Sequence, residues 1–315
     1  MRRAIVLLIS LFLVQPAAPA QQPAASQERQ AIRVDVGLVT LVATVSSRSG
    51  QFVGGLGKED FRIYEDSVPQ ETAMFEAQEV PISLGIVFDT SGSMADKIDD
   101  VADAVVHFTR TVNPQDQIFV IRFSGDVELV SDFTSDRKAI EKAVRRLRAR
   151  GSTRLYDAIA EAISQVRQGR YAKKALLLIT DGSDTASSAT LQDALEFAQK
   201  SEVLIYALGI GHSERGSFGH LPGDFQDEVD MPVLDAFAEA TGGKSFRLEA
   251  AHSGPVDMID TACLEVSREL RQQYMVSYYP TNRAKDGSYR QIRVETSNPD
   301  QIVRTRRGYF APRGP

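Results

Sequence analysis

The sequence predicts a doubly wound α/β domain with a mostly parallel sheet, set into an all-β sandwich built from both ends of the chain. Three observations lead there. Between about Pro81 and Leu270, short apolar runs (ISLGIVF, QIFVIRF, ALLLIT, VLIYALGI) alternate with helical stretches, the pattern of buried parallel strands joined by crossover helices. On either side of that stretch the chain has a different texture, of short alternating strands separated by turn signals. Neither flank is long enough to bury much surface alone, and domain termini lie close enough together to admit an inserted domain. The expected boundaries are 32–80 and 272–312 for the two parts of the sandwich and 81–271 for the inserted domain. Two separate hairpin modules packed on the central domain are the alternative.

The chain opens with Arg2 and Arg3, an apolar run from Ala4 to Val14, Pro16, and Ala18 and Ala20 in an A-x-A arrangement. That is the anatomy of a secretory signal peptide over 1–20, cleaved after Ala20, and the run is shorter than the roughly 20 apolar residues a membrane span needs. A secreted or periplasmic protein with no transmembrane segment after signal removal is expected. Residues 21–31 (QQPAASQERQA) read as a disordered leader.

From Ile32 the apolar residues alternate through Val34, Val36 and Leu38, then shift phase to Val39, Leu41, Ala43 and Val45, as in a bulged strand or one crossing between sheets. RSGQ is a turn, and FRIYED and ETAMFEA are strands. In the central domain, helix stripes run through Ile98, Val101, Ala102, Val105 and Phe108, then Ile140, Ala143, Val144 and Leu147, then Leu155, Ile159, Ile163 and Val166. QYMVSYYP, YRQIRVETS and QIVRTRRGYF are further strands, separated by turns at Lys285-Asp286-Gly287 and Asn298-Pro299-Asp300.

A net charge of −6 argues against a nucleic-acid partner, since such binding rests on neutralising phosphates. Cys263 is the only cysteine, so no intramolecular disulfide forms; on an apolar helix face it reads as a small hydrophobe.

In an open α/β sheet ligands sit beyond the carboxyl ends of the strands. The first strand of the central domain exits into Asp89-Thr90-Ser91-Gly92-Ser93, ALLLIT exits into Asp181-Gly182-Ser183-Asp184, and Thr153 stands just before the third helix. For any one of these residues helix capping or turn formation is the simpler explanation. Capping does not explain five of them falling on loops that a doubly wound sheet brings side by side.

This arrangement resembles the von Willebrand factor type A domain, a Rossmann-like fold. Its metal-ion-dependent adhesion site uses D-x-S-x-S on one loop, Thr on a second and Asp on a third. The resemblance covers about 190 residues of the middle of the chain. The flanking segments LVATVSSRSGQFVGGLGKEDFRIYEDSVPQE and GYFAP are similar to those of secreted bacterial relatives, which implies an Ig-like sandwich. It implies a metal site at Asp89, Ser91, Ser93, Thr153 and Asp181, with the three hydroxyls binding directly and the two carboxylates largely through water. Mg²⁺ is the expected ion, with Mn²⁺ or Ca²⁺ as alternatives, because the donors are all oxygen; the absence of sulfur and histidine disfavours zinc and copper. The implied function is non-enzymatic capture of a protein partner whose Asp or Glu completes the metal shell. The alternative is a structural or assembly component of an envelope complex, with the ion stabilising the fold.

Other chemistries fit less well. A phosphoryl-transfer nucleophile at Asp89 would want a second Asp where Ser91 stands, and no G-x-S-x-G elbow accompanies a triad histidine. The histidines His107, His212, His220 and His252 are dispersed, and His107 falls on a helix. The Gly-rich loop 211–231 is long enough to be functional or disordered, and His212, His220 and Asp224 fit no standard ligand spacing. Arg145, Arg146, Arg148, Arg150 and Arg154 crowd the approach to Thr153, either as a solvated helix face or as a charge that steers an acidic partner. Arg150, Arg154, Asp184 and His212 are the candidate partner contacts.

Overall fold

The computed structural model describes residues 37–77, 79–211, 229–248 and 255–314. The signal peptide, the leader, Ile32, Val34 and Val36, and His212, His220, Asp224 and His252 lie outside the described residues. In chain order the first strands are β1 Val39–Ser47, β2 Phe61–Glu65, β3 Val68–Gln70 and β4 Thr72–Glu76. The central segment follows with β5 Ser83–Asp89, α1 Ile98–Thr111, β6 Gln117–Phe123, β7 Val127–Thr134, α2 Arg137–Val144 and α3 Leu155–Arg167. It continues with β8 Lys174–Thr180, α4 Leu191–Ser201, β9 Leu204–Ile210, α5 Met231–Thr241, β10 Ser245–Leu248 and α6 Pro255–Arg271. The last strands are β11 Tyr274–Tyr278, β12 Tyr289–Thr296, β13 Gln301–Arg304 and β14 Gly308–Phe310.

The central segment forms a six-stranded sheet in the order β10-β9-β8-β5-β6-β7. Its pairings are parallel except β6 with β7, so the sheet is mostly parallel with one antiparallel edge. The four apolar runs are β5, β6, β8 and β9, and they fill the middle because helices cover both faces. On one face Leu84, Ile86 and Phe88 of β5 pack with Val105 and Phe108 of α1, Ile140 of α2, and Val266 of α6. On the other, Val87 and Phe119 pack with Ile159 of α3, Ala194 of α4 and Phe237 of α5. Gly85 has no side chain where Phe119 and Leu176 close over the strand; a Cβ there would stand 2.3 Å from the Phe119 ring. Cys263 is buried in the first of these clusters, as its apolar setting predicts.

Two features differ from the sequence expectation. β7 (VELVSDFT) is an edge strand carrying Glu128 and Asp132, so it lacks the continuous apolar run that marks a buried strand. Helix α2 ends at Val144, and Leu147 completes its stripe from the following turn, buried and donating its N–H to Val144 O at 3.1 Å.

The strands at the two ends form two four-stranded sheets, β13-β1-β11-β4 and β14-β12-β2-β3, with antiparallel pairing throughout. They share one cluster that includes Leu41, Ala43, Val45, Ile63, Val276, Tyr278 and Val294. The second alternating set of the first strand is thus the buried one, whereas Leu38 is exposed. β1 pairs with β11 and β13, and β2 with β12, so each sheet interleaves strands from both ends of the chain. Separate hairpin modules would not do this.

Candidate functional site

The site grows from the ends of β5 and β8, neighbours at the centre of the sheet where chain order reverses. β5 is buried along its whole length, so its last residue, Asp89, emerges with no access to solvent. Asp89 Oδ1 accepts the N–H of Ser91 at 2.8 Å, which folds the chain back over the strand end. Asp89 Oδ2 accepts from Thr180 Oγ1, the last residue of β8, at 2.6 Å, tying the two strand ends together. The Ser91 and Ser93 hydroxyls lie 3.0 Å apart. Asp181 Oδ1 accepts the Ser183 N–H at 2.9 Å.

Backbone hydrogen bonds sew the three loops together. Arg150 N–H donates to Thr90 O at 2.7 Å and Gly92 N–H to Gly151 O at 3.0 Å, joining the first loop to the segment before Thr153. The amides of Thr185 and Ala186 both donate to Thr153 O at 2.9 Å, and Thr153 N–H donates to Thr185 Oγ1 at 2.9 Å, joining that segment to the loop after β8. Asp230 N–H donates to Asp181 O at 2.9 Å, so the start of α5 also braces this loop. Gly182 sits at φ +87°, and a Cβ there would meet Asp230 O at 2.9 Å, which explains the glycine.

Asp89, Ser91, Ser93, Thr153 and Asp181 thus belong to one hydrogen-bonded cluster of loops. Asp89, Ser91, Thr153 and Asp181 are buried and Ser93 is half-buried, whereas Gly92, Gly151 and Ser152 of the same loops are exposed. Burial pushes the Asp89 carboxyl up to about 6, and the charge of Asp181 adds to the rise, against the lowering hydrogen bonds from Ser91 and Thr180. Two carboxylates and three hydroxyls form a hard-oxygen donor set. No cluster of three or more His, Cys, Asp or Glu suited to a metal occurs among the described residues. Any cation held here would therefore depend on hydroxyls as well as carboxylates.

The candidate partner contacts fall in different places. Asp184 Oδ1 accepts the N–H of Leu155 at 2.8 Å, and Ser187 Oγ donates to the same oxygen. Asp184 thereby caps α3, whose own N-cap, Arg154, makes no side-chain cap bond. Arg154 pairs with Asp157 at 3.2 Å and donates to Ala186 O and Ser188 Oγ. These two side chains are held within the fold. Arg150 is exposed, and His212 lies outside the described residues. Arg145 pairs with Asp103 and Glu141. His107 pairs with Asp260 at 3.2 Å on the surface of α1.

Sequence reasoning missed Thr180, Thr185, Asp157 and Asp230. Thr180 carried a signal, being a polar residue ending an apolar run immediately before Asp181. Asp157 accepts the amides of Ser188 and Ala189 from α3, a long-range bond with no sequence signature.

Residues 84–183 match the family model of the von Willebrand factor type A domain. Among curated relatives, inter alpha-trypsin inhibitor heavy chain 4 of Mus musculus is 26% identical over 178 residues, 51% of this chain and 17% of that protein. An uncharacterized protein of Synechocystis sp. is 28% identical over 175 residues, 54% of this chain and 38% of that protein. The matched stretches therefore span well under two thirds of either relative. The solved structure of a von Willebrand factor type A protein from Catenulispora acidiphila, 16% identical, covers 87% of this chain and 62% of that one with a TM-score of 0.50, a likeness of fold. The matched segment takes in β5 from Leu84 onward, α1, β6, β7, α2, α3, β8 and the loop Asp181–Ser183, so it is this stretch, residues 84–183, that matches a von Willebrand factor type A domain.

Proposed function

We propose that this chain is a secreted or periplasmic, non-enzymatic protein-binding module. Its top face holds one divalent cation, Mg²⁺ or a related ion, at Asp89, Ser91, Ser93, Thr153 and Asp181. Domains of this type generally mediate protein–protein interaction. The observation that carries the reading is the joining of three loops, by backbone bonds of 2.7 to 3.0 Å, around two carboxylates and three hydroxyls that have no cationic side chain among their hydrogen-bond partners in the described residues. A cation supplies the missing positive charge, and when bound it offers an electrophilic position to a carboxylate of the partner. The chain's own part is to hold the five side chains in place, through Thr180, Thr185 and the backbone of Arg150, Gly151 and Asp230. We read the two outer sheets as one Ig-like sandwich interrupted by the domain 81–271, which would hold that domain by both ends. No helix among the described residues is long and apolar enough to cross a membrane.

Calorimetric titration with MgCl₂ and MnCl₂ tests the site. One ion per chain is expected, lost in Thr153→Ala and Asp181→Ala while circular dichroism stays unchanged. No binding, or binding untouched by both substitutions, overturns it. The complete burial of Asp89 favours a second reading, in which the ion stabilises the fold. Stability separates the two: an ion held a thousandfold below its 1 mM concentration raises unfolding free energy by about 4 kcal/mol, one of millimolar affinity by well under 1.

A further inference from the structure

Beside the metal-site loops lies a cavity of about 630 Å³ between the outer strand β7, the end of α2 and the segment 146–150. Its apolar part is Leu129, Val130, Ala139, Ala143 and Leu147. Its charged part is unbalanced. Arg122 is neutralised by Asp126 at 2.9 Å and Glu128 at 2.5 Å, a trio of net charge −1. Lys142, Arg146, Arg148 and Arg150 also line it and bring the sum to +3, on a chain whose net charge is −6. Lys142, Arg146 and Arg148 have no ion-pair partner among the described residues, and Arg150 has only the influence of Asp126. All four are exposed. The other arginines of this run, Arg145 and Arg154, are paired to carboxylates elsewhere. An ordinary solvated helix face does not account for the rest, because Arg146, Arg148 and Arg150 lie beyond the end of α2, around a concave surface.

We propose that this groove receives an acidic peptide segment of the partner, flanking the carboxylate that reaches the cation. The proposal rests on the cation-site reading for that carboxylate and on the groove alone for its neighbours. The two places are adjacent: Thr153 stands three positions after Arg150, at most about 11 Å of extended chain, and the Arg150 amide is bonded to Thr90. A peptide strand rises about 3.3 Å per residue. Acidic residues two to four positions from the metal-directed carboxylate therefore fall among Arg146, Arg148 and Arg150. The mixed apolar and basic lining and the limited size favour a short peptide over a long polyanion, which the negative charge of the rest of the chain repels.

The test is fluorescence anisotropy with a labelled octapeptide rich in Glu and Leu, its Glu→Gln counterpart, and a single-stranded oligonucleotide of similar length. Each is titrated with the full chain at 20 mM and 300 mM salt, with Mg²⁺ and with EDTA. The Glu peptide should bind, the Gln peptide should bind at least tenfold more weakly, and the triple variant Arg146→Gln, Arg148→Gln, Arg150→Gln should lose at least tenfold at low salt. Arg167→Gln together with Arg170→Gln should change nothing. Binding that survives EDTA but fails in the triple variant supports the groove and sinks the cation reading. Binding that needs Mg²⁺ and ignores the triple variant does the reverse. No binding of the Glu peptide, or tighter binding of the oligonucleotide, overturns the acidic-peptide assignment. Because the substituted side chains are exposed, folding is checked by an unchanged melting temperature.

Discussion

Asp89 is the residue on which the domain's chemistry and its stability meet. Its native carboxyl titrates at about 6, against 3.8 for the free side chain, because burial disfavours its charge. Between those values the folded state holds more protons than the unfolded one, so stability falls as pH rises through that window and is fully retained below it. The shift corresponds to about 3 kcal/mol at most. In EDTA, the urea midpoint should therefore drop between pH 4 and 6.5. Asp89→Asn should flatten that profile, and Mg²⁺ should restore wild-type stability at neutral pH. A flat wild-type profile in EDTA would contradict the burial argument. Asp184 offers a contrast at the same scale. Its carboxylate caps α3 from the neighbouring loop, so Asp184→Ala should cost about 1 kcal/mol and leave Mg²⁺ affinity within a few-fold. A selective loss of ion binding would move Asp184 into the metal site.

At the scale of elements, the start of β8 is pinned by an unusual cation. Lys173 is buried and donates its ammonium to the carbonyl of Leu270 near the end of α6. Burial pushes it down to about 7, although Asp116 and Glu79 favour its charge. Between 7 and the ordinary value near 10.5, the unfolded chain binds more protons than the folded one, so stability rises with pH across that window. Lys173→Met should abolish that rise without removing the α6 contact surface, as read from chemical denaturation at pH 7 and 9.5. An unchanged pH dependence would show that Lys173 stays charged in place. The edge strand β7 also belongs to this scale, since its charged residues kept it from reading as a strand while supplying one wall of the groove.

At the scale of the whole molecule, the α/β domain and the outer sheets meet through a buried polar network. Glu269 of α6 accepts from Tyr206 of β9 at 2.6 Å and Thr44 of β1 at 3.2 Å, and pairs with Arg304 of β13. Gln273 bridges Tyr206 and Thr44 at 2.8 and 3.1 Å. Arg306 adds a second tie, from Glu202 at 2.9 Å to Thr40 O at 3.0 Å. Removing one member of a buried ion pair leaves the other uncompensated. Glu269→Ala should therefore cost about 3 to 5 kcal/mol, seen as a large fall in the denaturation midpoint. Because the network spans both parts, unfolding should stay a single transition in the wild type. Two separated calorimetric transitions would mean that the network does not couple them.

The sequence by itself determined the α/β class of the central segment and which strand-exit loops carry the oxygen-bearing side chains proposed as the site. Apolar runs and helix stripes report burial, which is local in the chain, and D-x-S-x-S, Thr153 and Asp181 are each legible at a strand exit or helix start. What only the tertiary structure decided is which side chains remain available once the loops are joined. Arg154 and Asp184 looked like partner contacts, but hydrogen bonding to Ser188 and capping of Leu155, across 34 and 29 residues, hold them within the fold. Arg146, Arg148 and Arg150 looked identical to Arg145 in sequence, yet they stand around an open groove while Arg145 meets Asp103. Such partners are set by where the strands deliver each loop in space, and spacing along the chain does not encode that.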